Sequence, residues 1–463
     1  MLVNYNKFMI FPAAKKTLWQ LLGPSIIFVA LSLNGGEMLL WPDLVGRYSL
    51  TILWAVPLIL FLQFMVNLEI ERYSIVTGKN TLKGMIGRHS WLGPLFIFGI
   101  IISLAWPAWI SIAGNILAYT VGFGSYGAWF AFVLLGLQIL IWQSKKSYQI
   151  LENIARVGLL IILTIGIYTL IRLSPELANI KFNFESGWWP KNSDRITFIS
   201  ALAFGGVAGV LNLVQSDWVS KKGYGINQQL EINNEELIMN SEQSLVGNSL
   251  STKQSNIVNR ETSADLNIVW NEESVNNFKN WWSLIWKEHF ILFYLGNFVG
   301  IFLIAIISAV LLPGSNKVGF GILSFEVDKL NQLTFGAGFA WALGIFLLFF
   351  MAQMTILDAT GRLLKNTGSK IFSKFKSERL SQGSAVIGMV ILLFTAIIPG
   401  FNQPAGLLQI SATTSAFIMA LYPIFLLKLN LSLPNETKPR MFNTLSVVAC
   451  VIFYGVMVVL AFV

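Results

Sequence analysis

Residues 31–42 read LSLNGGEMLLWP, an asparagine, two glycines and a carboxylate inside the otherwise apolar stretch 18–45. Glycine destabilises a helix interior by about 1 kcal/mol relative to alanine. Asn34-Gly35-Gly36-Glu37 therefore marks a point where a membrane helix unwinds. Non-helical backbone survives at membrane depth only where it faces protein or a water-filled cavity. A carboxylate near the bilayer centre costs about 2.5–3.5 kcal/mol on insertion scales. Such a residue marks an ion or substrate site in a spanning helix.

The rest of the chain supports the membrane assignment. Of 463 residues, 55% are hydrophobic and 12% charged, and the mean hydropathy is +0.64, whereas soluble domains carry about 25% charged residues. Apolar runs long enough for a helix to cross the hydrocarbon core recur along the sequence, and they lack the alternation of a barrel strand. The net charge of +9 sits in short loops between these runs, which reads as orientation in a bilayer and not as nucleic-acid binding. Cys450 is the only cysteine, so disulfides and thiolate metal sites within one chain are excluded. His89 and His289 lie far apart in the sequence, which argues against a His-rich metal centre. The first 16 residues lack the layout of a signal peptide.

Eleven runs read as spans: 18–45, 51–74, 92–120, 127–143, 149–173, 196–219, 283–312, 333–360, 384–400, 403–428 and 441–462. Lysines and arginines gather in alternate loops, at Lys15 and Lys16, Lys79 to Arg88, Lys145 and Lys146, Lys221 and Lys222, Arg362 to Arg379, and Lys438 and Arg440. This register puts the N-terminus in the cytoplasm and the C-terminus outside. The expected layout is a cytoplasmic tail at 1–17, helices over 18–222, a polar cytoplasmic loop at 223–280 and the remaining helices over 281–463. The loop holds eight acidic and three basic residues and reads as disordered.

A second interruption lies in the sixth run, "ALAFGGVAGVLNLVQSDW", with Gly205, Gly206 and Gly209 near its middle. Splitting the first ten spans into five plus five puts the two glycine clusters at equivalent positions. Paired interrupted segments in the two halves point to the midplane site of a secondary transporter. Small residues also serve close helix packing, and that reading stays open for any one of these glycines.

"GPSIIFVALSLNGGEMLLWPDLVGRY" in span 1, "FGGVAGVLNLVQSDWVSKKGYG" in span 6 and "EIERYSIVTG" at the end of span 2 resemble an atypical branch of the Nramp (natural-resistance-associated macrophage protein) transporters of the APC superfamily. The resemblance implies an all-α polytopic membrane protein with a LeuT-like 5+5 inverted repeat plus one extra helix and with spans 1 and 6 broken. It implies a symporter for divalent metal ions in a bacterial inner membrane. Typical members carry Asp-Pro-Gly-Asn in span 1, where this chain has Asn34, Gly35, Gly36 and Glu37. They carry Met-Pro-His-Asn in span 6, where it has Gly209, Val210, Leu211 and Asn212. The thioether and the histidine of span 6 are thus missing, and span 3 has no acid for a proton route. A thioether favours transition metals over Mg²⁺ and Ca²⁺.

Glu37 is the expected source of negative charge, either as a cation ligand with Asn34 or as an anion at the start of the outer half-helix. Asn212 and Gln409 are neutral oxygen donors that complete the expected set; alone, each also reads as an interhelical hydrogen bond. Asp358 and Arg362 are spaced for a local ion pair, and Gln353 is a weaker candidate. Glu69, Glu71 and Arg72 on span 2 and Glu152 and Arg156 on span 5 are candidates for charge pairs joining the two spans at the inner edge. Pro107 is expected to kink span 3. No Walker lysine motif is present, and "GFGSYG" at 122–127 lacks the strand-turn-helix setting of a dinucleotide site. No enzyme activity, resident cofactor or nucleic-acid partner is expected. The partners are the lipid bilayer and a transported cation or small solute. A same-fold carrier of an amino acid or amine is the alternative, and a sensor using the 223–280 loop as its output is a third reading.

Overall fold

The structure is a computed structural model that describes residues 9–18, 29–30, 32–33, 36–104, 108–144, 146–177, 180, 188–207, 209–230, 268–312, 317, 319–371, 378–394 and 404–462. Asn34 and Gly35 lie outside the described residues, as does most of the 223–280 stretch. Among the described residues, seven helices are long and apolar enough to cross a membrane: Leu50–Thr77, Gly124–Gln143, Gln149–Arg172, Glu272–Leu311, Ala337–Gly368, Leu408–Asn430 and Met441–Leu460. They correspond to spans 2, 4, 5, 7, 8, 10 and 11. Spans 1, 3 and 6 are described only in part or in shorter pieces, and span 9 is described over Glu378–Leu393.

Span 8 (Ala337–Ile371) packs on spans 3, 5 and 9, and span 10 (Pro404–Asn430) packs on span 11 and on the outer half of span 6. Span 2 (Ala55–Thr77) packs on the inner part of span 6 and on span 11. Ile345, Leu348, Phe349, Met351 and Ala352 of span 8 are fully buried. Spans 4, 5 and 11 instead expose large apolar side chains, among them Val133, Leu140, Leu160, Ile171 and Val459. In water an apolar belt of this kind would be unstable; in lipid it meets hydrocarbon at no cost.

Two boundaries differ from the sequence reading. Span 7 begins at Glu272, inside the stretch read as a polar loop. Asn271 caps it, its side chain accepting from the Ser274 amide at 2.9 Å, and Phe278, Trp281 and Ile285 bury one face of its first turns. The helical spacing of those residues is what the composition of the whole stretch obscured. Span 8 continues through Ile371. Span 3 is described over Leu92–Leu104 and Ala108–Thr120; Pro107, where a kink is expected, lies outside the described residues. Gln353 of span 8 accepts from the Ile110 amide at 3.2 Å, satisfying one of the donors that a helix start leaves free.

The strands β1 (Met9–Ile10) and β2 (Ile268–Val269) form a parallel pair. They tie the N-terminal segment to the start of span 7. Phe11 is buried against Trp270 and Phe278, its amide donates to Ser274 Oγ at 3.0 Å, and its carbonyl accepts from Asn277 at 2.8 Å.

Candidate functional site

The two interruptions face each other. Span 1 resumes after the break with a π-helical turn, Gly36–Leu40, followed by Trp41–Tyr48. Span 6 runs as a helix over Arg195–Ala203, leaves helical geometry at Phe204, and resumes as a 3₁₀ turn, Gly209–Val214, then as Gln215–Lys221. π-Turns inside helices occur frequently at functional sites. A Cβ on Gly36 would come within 2.8 Å of Phe204 Cβ, so only glycine lets the two broken segments approach this closely. Gly206 and Gly209 have φ of +139° and +72°, left-handed values that L side chains avoid.

Glu37 is the second residue of the π-turn and is 1% exposed. Its carboxylate faces the backbone of Gly206 in the other break, and Oε1 has no hydrogen-bond partner. The Gly206 amide itself donates to the Phe204 carbonyl in a tight turn. The acid of one break thus lies against the turn of the other.

Around this contact, Gly205 meets Ile59 of span 2, Gly206 meets Gln63 and Phe293, and Gly209 meets Ser415 of span 10. Asn212 is fully buried, with Nδ2 3.7 Å from the Met419 sulfur and Oδ1 without a partner. Gln409 is elsewhere. It is half-buried, and its Nε2 donates to Thr197 Oγ1 at 3.0 Å, six residues before Ser415 and so about 9 Å farther along span 10. The structure thus gathers Gly36, Glu37, Gly205, Gly206 and Gly209 and leaves Gln409 in the outer half of the span 6 and span 10 contact.

Aromatic rings pack beside the break toward Tyr48 and Asp194. Trp41 and Phe198 meet edge to face with centroids 6.3 Å apart, and Trp189 packs on Phe198 at 5.7 Å. Farther out, Arg47 pairs with Asp43 at 2.7 Å and with Asp194 at 2.6 Å, and Tyr48 donates to Asp194 at 2.6 Å. This ion-pair cluster joins the C-terminal end of span 1 to the N-terminal end of span 6. Nothing in the residue pattern singled it out, because Asp194 is 147 residues from Arg47.

The charges at the inner edge do not join spans 2 and 5. Glu69 pairs with Arg72 of its own helix at 2.8 Å and accepts from Asn430 and Asn443 of spans 10 and 11. Glu152 pairs with Arg156 at 2.5 Å. Each acid finds a base one turn away, a closer partner than the neighbouring span offers. Asp358 and Arg362 form the expected pair at 2.7 Å. Among the described residues, no three His, Cys, Asp or Glu side chains form a group able to hold a metal ion.

With this geometry in hand, the comparison with solved structures identifies the fold. A manganese transporter of Eremococcus coleocola superposes with a TM-score of 0.60 at 13% identity, over 99% of this chain and 90% of that one. MhsT in complex with L-phenylalanine gives 0.55 at 12%, over 95% and 97%. Mhp1, a nucleobase-cation-symport-1 family transporter, gives 0.51 at 12%, over 95% and 89%. The chain has the LeuT-type transporter fold. No protein-family model matches the sequence, and no curated protein matches it.

Sequence reasoning missed Gln63, Asn67 and Gln215, all buried polar residues around the inner part of span 6. A signal for the first two was present: Gln63, Asn67 and Glu71 recur every four residues in an apolar helix.

Proposed function

We propose that this protein is an integral membrane secondary transporter that moves a cation, in this reading a divalent metal ion, by alternating access around the paired breaks of spans 1 and 6. One observation carries the reading: Glu37 is buried where the breaks meet, with a carboxylate oxygen that no protein group satisfies. An ionised carboxylate in a low-dielectric site needs a counter-charge or a proton, and a passing cation supplies one. In this reading, backbone carbonyls at the breaks supply an oxygen shell of the kind hard cations use; Asn34, the further oxygen ligand expected from the sequence, lies outside the described residues. Asn212 adds an amide oxygen and Met419 brings a soft sulfur beside it. The manganese transporter among the structural neighbours supports the metal reading. The loop charges favour a cytoplasmic N-terminus, an outside C-terminus and a bacterial plasma membrane.

Uptake into proteoliposomes, with Mn²⁺ and other divalent ions as cargo, tests this. Glu37→Gln keeps the shape and removes the charge, and is expected to lower uptake by at least about tenfold, the equivalent of 1.4 kcal/mol of cation binding. Metal uptake unchanged by the substitution sinks the reading.

A second reading has its own support. Phe204, Trp109 and Phe293 stand around the break, with Trp109 edge-on to Phe204 at 5.9 Å. Rings and small glycines suit an organic amine or amino acid whose ammonium would face Glu37. Uptake of amino acids but not metals by the same vesicles selects it.

A further inference from the structure

On the side of the break away from Trp41, spans 2, 6 and 7 bury a line of polar side chains that the site at Glu37 does not use. Gln63, Asn67 and Glu71 follow one another at four-residue intervals on span 2, which places them on one face over about 12 Å. Each is at most 1% exposed. The line begins at the break: a Cβ on Gly206 would lie 2.7 Å from Gln63 Oε1. Gln63 donates to Tyr454 Oη at 2.8 Å, but its Oε1 has no partner, and neither side-chain polar atom of Asn67 has one.

The line ends in a triad. Gln215 Nε2 of span 6 donates to Glu71 Oε1 at 2.8 Å and lies 2.6 Å from His289 Nε2 of span 7. Glu71 Oε2 is unsatisfied and 3.7 Å from His289 Nδ1. An amide nitrogen only donates. With Glu71 ionised, Gln215 can serve both neighbours only if His289 Nε2 accepts. The proton of the neutral imidazole then sits on Nδ1, the nitrogen that faces Glu71. The other charges facing the triad are Lys222 and Glu288, 3.4 Å apart, with Tyr224 donating to Glu288 at 3.2 Å. Glu69 and Arg72 are engaged with each other on the side of span 2 facing spans 10 and 11.

We propose that Glu71 and His289, bridged by Gln215, form a proton-binding site distinct from the substrate site, and that the Gln63 and Asn67 line links it to the break. The empty pair carries one negative charge. It takes one proton from water at His289 Nε2 and becomes a neutral imidazolium–carboxylate pair. That nitrogen then donates, so the Gln215 amide turns to accept from it with Oε1, which has no partner in the empty pair, and releases Glu71 Oε1. His289 directly precedes the π-helical turn Phe290–Gly296, and the next residue, Asn297, bonds Ser32 of span 1. The site thus touches, through one helix, the segment that carries the first break. Proton coupling of transport rests on the function proposed above; proton binding at the pair does not.

The chain has two histidines, His89 and His289, so ¹⁵N-histidine spectra of the full-length protein in nanodiscs contain two sets of signals, assigned with a His89→Gln variant. The expected result is an Nδ1-protonated neutral form for His289 and one titration step between about pH 4 and pH 8. Glu71→Gln is expected to lower its midpoint by about one pH unit, a tenfold loss of proton affinity. If Glu71→Gln does not fold, Gln215→Leu leaves both titrating groups and is expected to abolish the tautomer preference. A His289 signal flat over that range, or unmoved by both variants, overturns the proposal. In proteoliposomes, Glu71→Gln should flatten the pH profile of uptake. Normal His289 titration in a protein that transports nothing leaves the proton site standing and removes the transport reading instead.

Discussion

At the scale of single residues, glycine decides what the two breaks can do. Gly206 combines φ of +139° with a site where a Cβ would press on Gln63 Oε1 and the Phe293 ring, both within 2.8 Å. Gly136 of span 4 has ordinary φ and nothing within 4 Å of a built Cβ. Gly206→Ala is therefore expected to destabilise the protein by about 1–3 kcal/mol and to impair uptake. Gly136→Ala, which removes only unfolded-state freedom, is expected to be neutral or to stabilise by up to about 1 kcal/mol. Thermal unfolding in detergent, run on the pair, checks both signs. Glu37 shows the same dependence on neighbours: its position in span 1 is plain from the sequence, but the backbone that its carboxylate faces is that of Gly206, 169 positions later.

At the scale of elements, two segments outside the spans hold the bundle's ends. The helix Phe320–Leu333 packs on span 8 through Glu326, which is buried and accepts from Ser308 at 2.7 Å and Trp341 at 3.2 Å. Burial outweighs these bonds and pushes its carboxyl up from 4.5 to about 7. The folded state therefore holds this proton more tightly than the unfolded chain does. Its stabilising effect is complete below 4.5 and is lost as pH rises to about 7, a change on the order of 1–3 kcal/mol. Thermal unfolding is expected to move to lower temperature across that interval, and Glu326→Gln should flatten the slope. On the other end, Phe11 fills the pocket between Trp270 and Phe278. Phe11→Ala removes that contact at a cost of about 3–5 kcal/mol to the local packing, and faster hydrogen exchange over the first turns of span 7 is the expected readout.

For the whole molecule, the orientation drawn from loop charges has a direct test, since Cys450 is the single cysteine and is buried. In a Cys450→Ser background, Val121→Cys, at an exposed turn after span 3, should react with an impermeant thiol reagent added to intact cells. Gly87→Cys, on the helix Thr81–Arg88 after span 2, should react only after permeabilisation; the reverse pattern inverts the topology. How much was legible before the structure follows from what kind of force acts. Partition into lipid is a property of each segment, so residues 18–45 and the other apolar runs declare themselves as spans, and glycine's backbone freedom announces the breaks at 35–36 and 205–209. Polar partnerships inside the bundle are properties of pairs brought together by folding. That Gln409 would reach Thr197, that Glu69 would turn to Arg72 and spans 10 and 11, and that Glu71 would meet His289 across Gln215 were each decided by which helices became neighbours. By itself the sequence determined a helical membrane protein with two broken spans and a carboxylate in one of them. Only the tertiary structure decided what that carboxylate faces, because in a low-dielectric interior a charge is governed by what lies beside it in space, and Gly206 is brought there from far along the chain.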